Sequence, residues 1–125
     1  MSELCFRDAT DLAAAIRFYE QGLGLPRMAS VQNEYSLLCR LYDTDMAEMA
    51  VNEDVTLLSF SPLACGLLTG KYQNGAVPDG SRMSINGDLG GRMTDRVLPV
   101  TQVYLDLAAK HGLDPVHMAM AWQRT

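Results

Sequence analysis

The chain has 125 residues and a formal net charge of −5. That length sets one domain as the expectation and leaves room for a modest core. The acidic balance argues against a general nucleic-acid binder, which needs a positive surface. No run approaches the roughly 18 apolar residues of a membrane span, and Met1-Ser2-Glu3-Leu4-Cys5 lacks the basic-then-apolar pattern of a signal peptide. Three widely spaced cysteines fit reduced thiols, so a cytoplasmic location is expected. Two histidines with no close Cys/His pair argue against a zinc site.

In chain order, Leu12 to Gln21 reads as a helix, with Leu12, Ala15, Ile16 and Tyr19 at helical spacing. Thr10 or Asp11 would cap it, and Gly22 would end it in a left-handed turn. Met28 to Gln32 reads as a short strand, followed by a polar loop, Asn33 to Ser36. A second helix is expected from Asp45 to Asn52, capped by Asp43 or Thr44, with Met46, Met49 and Ala50 on its apolar face. Val55 to Phe60 is nearly all apolar, which predicts a strand covered on both faces. Helix, strand, helix, strand is the order of a parallel α/β architecture. Gln73 to Arg96 is crowded with glycine and proline and reads as a long loop. Val100, Val103, Tyr104, Leu107 and Ala108 would form one face of a third helix, ended by His111-Gly112. Asp114-Pro115 then restarts a helix, with Ala119 and Trp122 on its buried side.

Chemistry concentrates where the second strand ends. Ser59-Phe60-Ser61-Pro62-Leu63-Ala64-Cys65-Gly66-Leu67-Leu68-Thr69-Gly70-Lys71-Tyr72 occupies the edge at which open α/β sheets and barrels gather their ligands. Backbone N–H groups of such a turn can hold phosphate oxygens, with a lysine adding charge. It is not a Walker loop: Gly66 to Gly70 is one residue short, and Tyr72 replaces the Ser or Thr. The alternative is a buried strand that ends in a tight turn.

The segment Phe60 to Tyr72 resembles the strand-seven loop of the aldo-keto reductases, in particular the branch of bacterial general-stress reductases and potassium-channel β-subunits. Val31-Gln32-Asn33-Glu34-Tyr35-Ser36-Leu37-Leu38 is similar to the strand-six segment of that branch. Pro78-Asp79-Gly80-Ser81-Arg82, His111-Gly112-Leu113 and Met118-Ala119-Met120-Ala121-Trp122 follow in the family's order, so the resemblance spans residues 12–124. It implies one domain, residues 1–125, forming part of a (β/α)₈ TIM barrel from about strand six to helix seven, with parallel strands and flanking helices. It also implies NADP(H) as cofactor. By the same resemblance, Gln32 would bond the nicotinamide carboxamide. Phe60, where the family more often has Tyr or Trp, would stack on the nicotinamide ring. Ser61, Pro62, Leu63, Ala64 and Cys65 would wrap the pyrophosphate, and Lys71 and Arg82 would neutralise phosphate charge.

The family's catalytic Asp, Tyr, Lys and His belong to the first half of its barrel, and Tyr35, Tyr42, Tyr72 and Tyr104 lie in other motifs. The expectation is therefore an inactive reductase fragment, with cofactor binding weak or absent. A whole barrel needs about 250 residues. Unpaired strand edges and bare helix faces predict self-association or complementation by the missing half. A nucleotide-binding module and a barrel-interacting module are the alternatives.

Overall fold

The computed structural model of the chain describes Ala14 and residues 17–124. Most of the helix expected at Leu12–Gln21, with its caps, lies outside the described residues. Of its end, Phe18–Gly22 forms a π-helical turn. The left-handed glycine that follows is Gly24, at φ +64, rather than Gly22.

Strand β1 is Ser30–Glu34 and strand β2 is Thr56–Phe60. They pair in parallel, with Ser30 opposite Thr56 and Glu34 opposite Phe60. β1 starts and ends two residues later than the sequence suggests, because Asn33 and Glu34 continue the ladder instead of opening a loop. Between the strands runs helix α1, Met46–Glu53. The expected caps are occupied elsewhere. Asp43 accepts from the Tyr35 hydroxyl at 2.7 Å and from Arg40 Nε at 2.6 Å, and Thr44 Oγ1 donates to Leu41 O at 2.8 Å. Asp45 stands at the helix start without a side-chain cap.

Side chains alternate across a strand, so the two faces of this sheet meet different surroundings. Val31, Leu57, Tyr35 and Val55 pack with α1 residues Met46, Ala47 and Ala50 and with Tyr42. Gln32, Leu58 and Phe60 lie on the opposite face and are exposed. The expectation that β2 is covered on both faces is corrected here: Leu58 is 54% and Phe60 41% exposed. Its composition is that of a two-sided strand, but among the described residues α1 and Tyr42 pack against one face and leave Leu58 and Phe60 exposed on the other.

The main core lies beyond the sheet. A 3₁₀ segment, Ala64–Thr69, inserts Ala64, Leu67 and Leu68, and Tyr72 follows them into the interior. Helix α2, Arg82–Ile85, helix α3, Val97–Lys110, and helix α4, Pro115–Trp122, surround this knot. Residues 73–96 are thus not a bare loop. They include a 3₁₀ turn, Gln73–Gly75, and the short α2, and they bury Met83 and Leu89. The Tyr72 hydroxyl accepts from Met83 N at 3.4 Å, which ties α2 to the core.

The buried face of α3 keeps Tyr104 and Ala108 from the expected one but exchanges Val100, Val103 and Leu107 for Thr101. Thr101 and Ala108 are buried and Tyr104 is half-buried, while Val100, Val103 and Leu107 are exposed. Small residues allow the close approach, and the Thr101 hydroxyl is satisfied by Val97 O at 2.8 Å. The end of α3 at His111-Gly112 and the restart at Asp114-Pro115 stand as read. Gly112 is at φ +65, and Asp114 Oδ1 accepts from His117 N at 2.9 Å. Ala119 is buried, and Trp122 stacks on Tyr35 at 4.9 Å between ring centroids. Gln123 completes this joint by donating to Tyr35 O and accepting from Ser59 Oγ.

Leu67→Ala should cost about 2–5 kcal/mol, because the side chain is almost fully buried in the core and its removal leaves a void there; urea denaturation reads this directly. The Tyr35–Asp43–Arg40 joint predicts an acid limb. Asp43 is held below its ordinary pKa, first by the Tyr35 hydroxyl and then by Arg40. A depressed folded-state value means that the contribution is full above the unfolded carboxylate pKa and fades as pH falls through the folded value. Urea midpoints measured from neutral pH down into the acid range should therefore drop less in Asp43→Asn than in the parent chain.

Candidate functional site

The site is built around the chain reversal after β2. Ser61, Ala64 and Cys65 are all left-handed, at φ +54, +47 and +57, and Gly66 follows at φ +95. Such conformations cost a non-glycine residue about 1 kcal/mol or more each, so three close together need support from their surroundings. The support is visible. Ala64 N donates to Ser61 O at 2.8 Å, Gly66 N to Leu63 O at 2.9 Å, and Leu68 N to Leu63 O at 3.2 Å. Below them, Ala64, Leu67 and Leu68 are locked in the core. The turn is thus held rigidly at the C-terminal end of β2.

Glycine at position 66 also leaves room for the Lys71 side chain. A Cβ there would lie 2.8 Å from Lys71 Cε and 3.0 Å from Nζ. The Lys71 side chain therefore folds back across the turn, with its ammonium 5.1 Å from the centre of the Tyr72 ring. The chain reversal at Gly70, at φ +78, makes that return geometry available.

Gln32 and Phe60 share the sheet face opposite α1, on adjacent strands and one side-chain step apart, since Gln32 pairs with Leu58 and Glu34 with Phe60. Both are exposed. Phe60 leads straight into the left-handed turn, so ring, turn and Lys71 line up along one edge. Pro62, Leu63 and Cys65 are half-buried within the turn, whereas Ala64 is a core residue. Arg82 begins α2 immediately after Ser81, whose hydroxyl caps Ser84 N at 3.3 Å. Its side chain is exposed and makes no hydrogen bond or ion pair among the described residues. Tyr72 connects the two cations: it follows Lys71 in sequence and bonds Met83, the neighbour of Arg82.

One feature of this edge was not singled out in the sequence. Glu34, in register with Phe60, receives Arg92 through two bonds, Nε to Oε1 at 2.8 Å and Nη2 to Oε2 at 2.5 Å. Arg92 Nη1 also donates to Leu89 O at 2.8 Å. The pair is mostly buried and joins the glycine-rich segment to the end of β1 across 58 positions. Glu34 raises the Arg92 pKa further above its ordinary value, mainly by hydrogen bonding. No local sequence signal marks such a partnership. Among the described residues, no cluster of His, Cys, Asp and Glu has the form of a metal site, and no helix is long and apolar enough to cross a membrane.

Residues 8–124 match the family model "Aldo/keto reductase family". The chain is 42% identical over 100 residues to Protein tas of Escherichia coli (strain K12), covering 80% of this chain and 29% of that protein. A probable voltage-gated potassium channel subunit beta of Arabidopsis thaliana is 34% identical over 95 residues, covering 73% of this chain and 29% of the plant protein. L-glyceraldehyde 3-phosphate reductase of Escherichia coli O157:H7 is 34% identical over 97 residues, with 73% and 28% covered. The chain thus spans under a third of the length of the relatives that it matches. With a family match over nearly its whole length and the parallel strand pair and strand-end turn in the matching order, the chain belongs to the aldo/keto reductase family.

Proposed function

We propose that this chain is the cofactor-side portion of an NADP(H)-dependent carbonyl/alcohol oxidoreductase. The observation that carries the reading is the rigid left-handed turn Ser61–Gly66 with Lys71 folded over it, because backbone in this conformation suits an anion and the lysine brings charge to it. In this reading the dinucleotide, when bound, supplies the hydride. The residues of this chain bind and orient it. The Gln32 amide offers a donor and an acceptor to the carboxamide. Exposed Phe60 gives an apolar face for the nicotinamide ring, without the polar handle of a Tyr or Trp. Ser61, Pro62, Leu63, Ala64 and Cys65 wrap the pyrophosphate, and Lys71 and Arg82 balance its charge. The acid–base set that moves the proton comes from outside these residues, so the chain by itself is an inactive part of the site.

The sheet geometry fits a piece of a barrel. Gln32, Leu58 and Phe60 face away from α1, and in a (β/α)₈ barrel the face away from the helices is the interior. A two-stranded sheet has two open edges, and among the described residues Gln32, Leu58 and Phe60 on one face are exposed as well. We infer that these surfaces take further strands, from the rest of the barrel or from a second copy of the chain.

NADPH fluorescence titration tests the cofactor reading. Saturable binding should weaken about tenfold or more in each of Lys71→Ala and Arg82→Ala, the loss of one charge-assisted contact. Absence of saturable binding to the chain, both alone and mixed with a barrel's first half, would sink it. Gly66→Ala should weaken binding too, because the added methyl collides with Lys71 and strains a left-handed residue. Light scattering across a concentration series reads the open edges: mass should rise with concentration, and a constant monomer mass would refute self-association.

A further inference from the structure

A cavity of about 340 Å³ lies on the other side of the strand-end turn. Gln32, Phe60, Lys71 and Arg82 do not line it. Its floor and walls are apolar, from Leu38, Ala64, Leu67, Val97 and Val100. The charged groups in its lining are Glu34, Arg92 and Arg96. Two of them, Glu34 and Arg92, are consumed by their own bidentate pair, which leaves that corner without net charge. The third charged group is Arg96, whose side chain is exposed and makes no hydrogen bond or ion pair among the described residues.

A pocket of this size, apolar inside with a single uncommitted cation at the mouth, has the chemistry of a site for a small amphipathic anion. We propose that it binds a monocarboxylate with an apolar body, such as a medium-chain or aryl carboxylate. The carboxylate sits on Arg96 and the hydrocarbon lies against Leu38, Leu67, Val97 and Val100. A dianion is disfavoured, since Glu34 already holds the other guanidinium. The fold explains why the space exists. The Glu34–Arg92 pair and Leu89 anchor the glycine-rich segment at one side, and α3 starts at Val97 on the other. The segment between them spans the gap without filling it.

This inference is independent of the cofactor reading, and its test uses no dinucleotide. Hexanoate is titrated into methyl-labelled chain at constant ionic strength and followed by NMR, with hexanamide as its uncharged counterpart. Methyl signals of Leu38, Leu67, Val97 and Val100 should shift saturably, while those of Leu58 and Val103, on bare faces elsewhere, stay still. Hexanamide and the Arg96→Gln chain should each bind about tenfold more weakly, the loss of one charge-assisted bond. Cys39 also lines the cavity, so hexanoate should slow its alkylation by iodoacetamide while leaving Cys65 unaffected. Unchanged cavity methyls at high millimolar hexanoate would overturn the proposal. So would equal affinity for hexanamide, or undiminished binding by Arg96→Gln.

Discussion

Leu67, Leu68 and Tyr72 are the point on which the structure hangs. They follow directly from the strand-end turn, are almost fully enclosed, and receive α2, α3 and α4 around them. Burial of three large side chains supplies several kcal/mol, enough to offset the left-handed backbone of Ser61, Ala64 and Cys65. The strained turn and the dense core are therefore one device. Apolar residues placed just after the turn hold it in a conformation that an isolated peptide would abandon.

This arrangement explains the asymmetry of the molecule. The helices α2, α3 and α4 make their main core beneath the turn, not on the sheet. α1 covers one sheet face through Val31, Val55 and Leu57, and the other face stays open at Leu58 and Phe60. The uncovered face carries Gln32 beside Leu58 and Phe60, so it mixes polar and apolar groups. Val100, Val103 and Leu107 on α3 are likewise exposed.

Long-range polar contacts set the remaining positions. Arg92 to Glu34, Tyr104 to Leu37 O and Gln123 to Tyr35 O all return to the last residue of β1 and the few that follow it. The end of β1 is thus the second anchor after the core. It explains how a glycine-rich stretch, which has little apolar surface of its own, comes to be packed at the mouth of the site. It also accounts for the two separate environments there, an exposed face with Gln32 and Phe60 and an open, largely apolar cavity beside Arg96.

Much of the local structure was legible in the sequence, because it depends on neighbours. The parallel strand pair, the Asp114-Pro115 helix start and the stop at His111-Gly112 follow from periodicity, capping and glycine conformation. So does the turn motif from Phe60 to Tyr72, whose glycines are needed at positions 66 and 70 by backbone geometry. Burial was not legible in this way. The apolar run of β2 reads as a covered strand, but coverage depends on which elements are present to pack on it. The buried face of α3 was set by where the Leu67–Tyr72 knot lies, and that selected Thr101, beside the expected Ala108, over the larger Val100 and Leu107. The packing of residues 73–96, the fold-back of Lys71 over Gly66 and the Glu34–Arg92 pair join positions through space. Sequence determined the turns and the order of elements because those are local energies; tertiary structure alone decided which surfaces are covered and which charges meet.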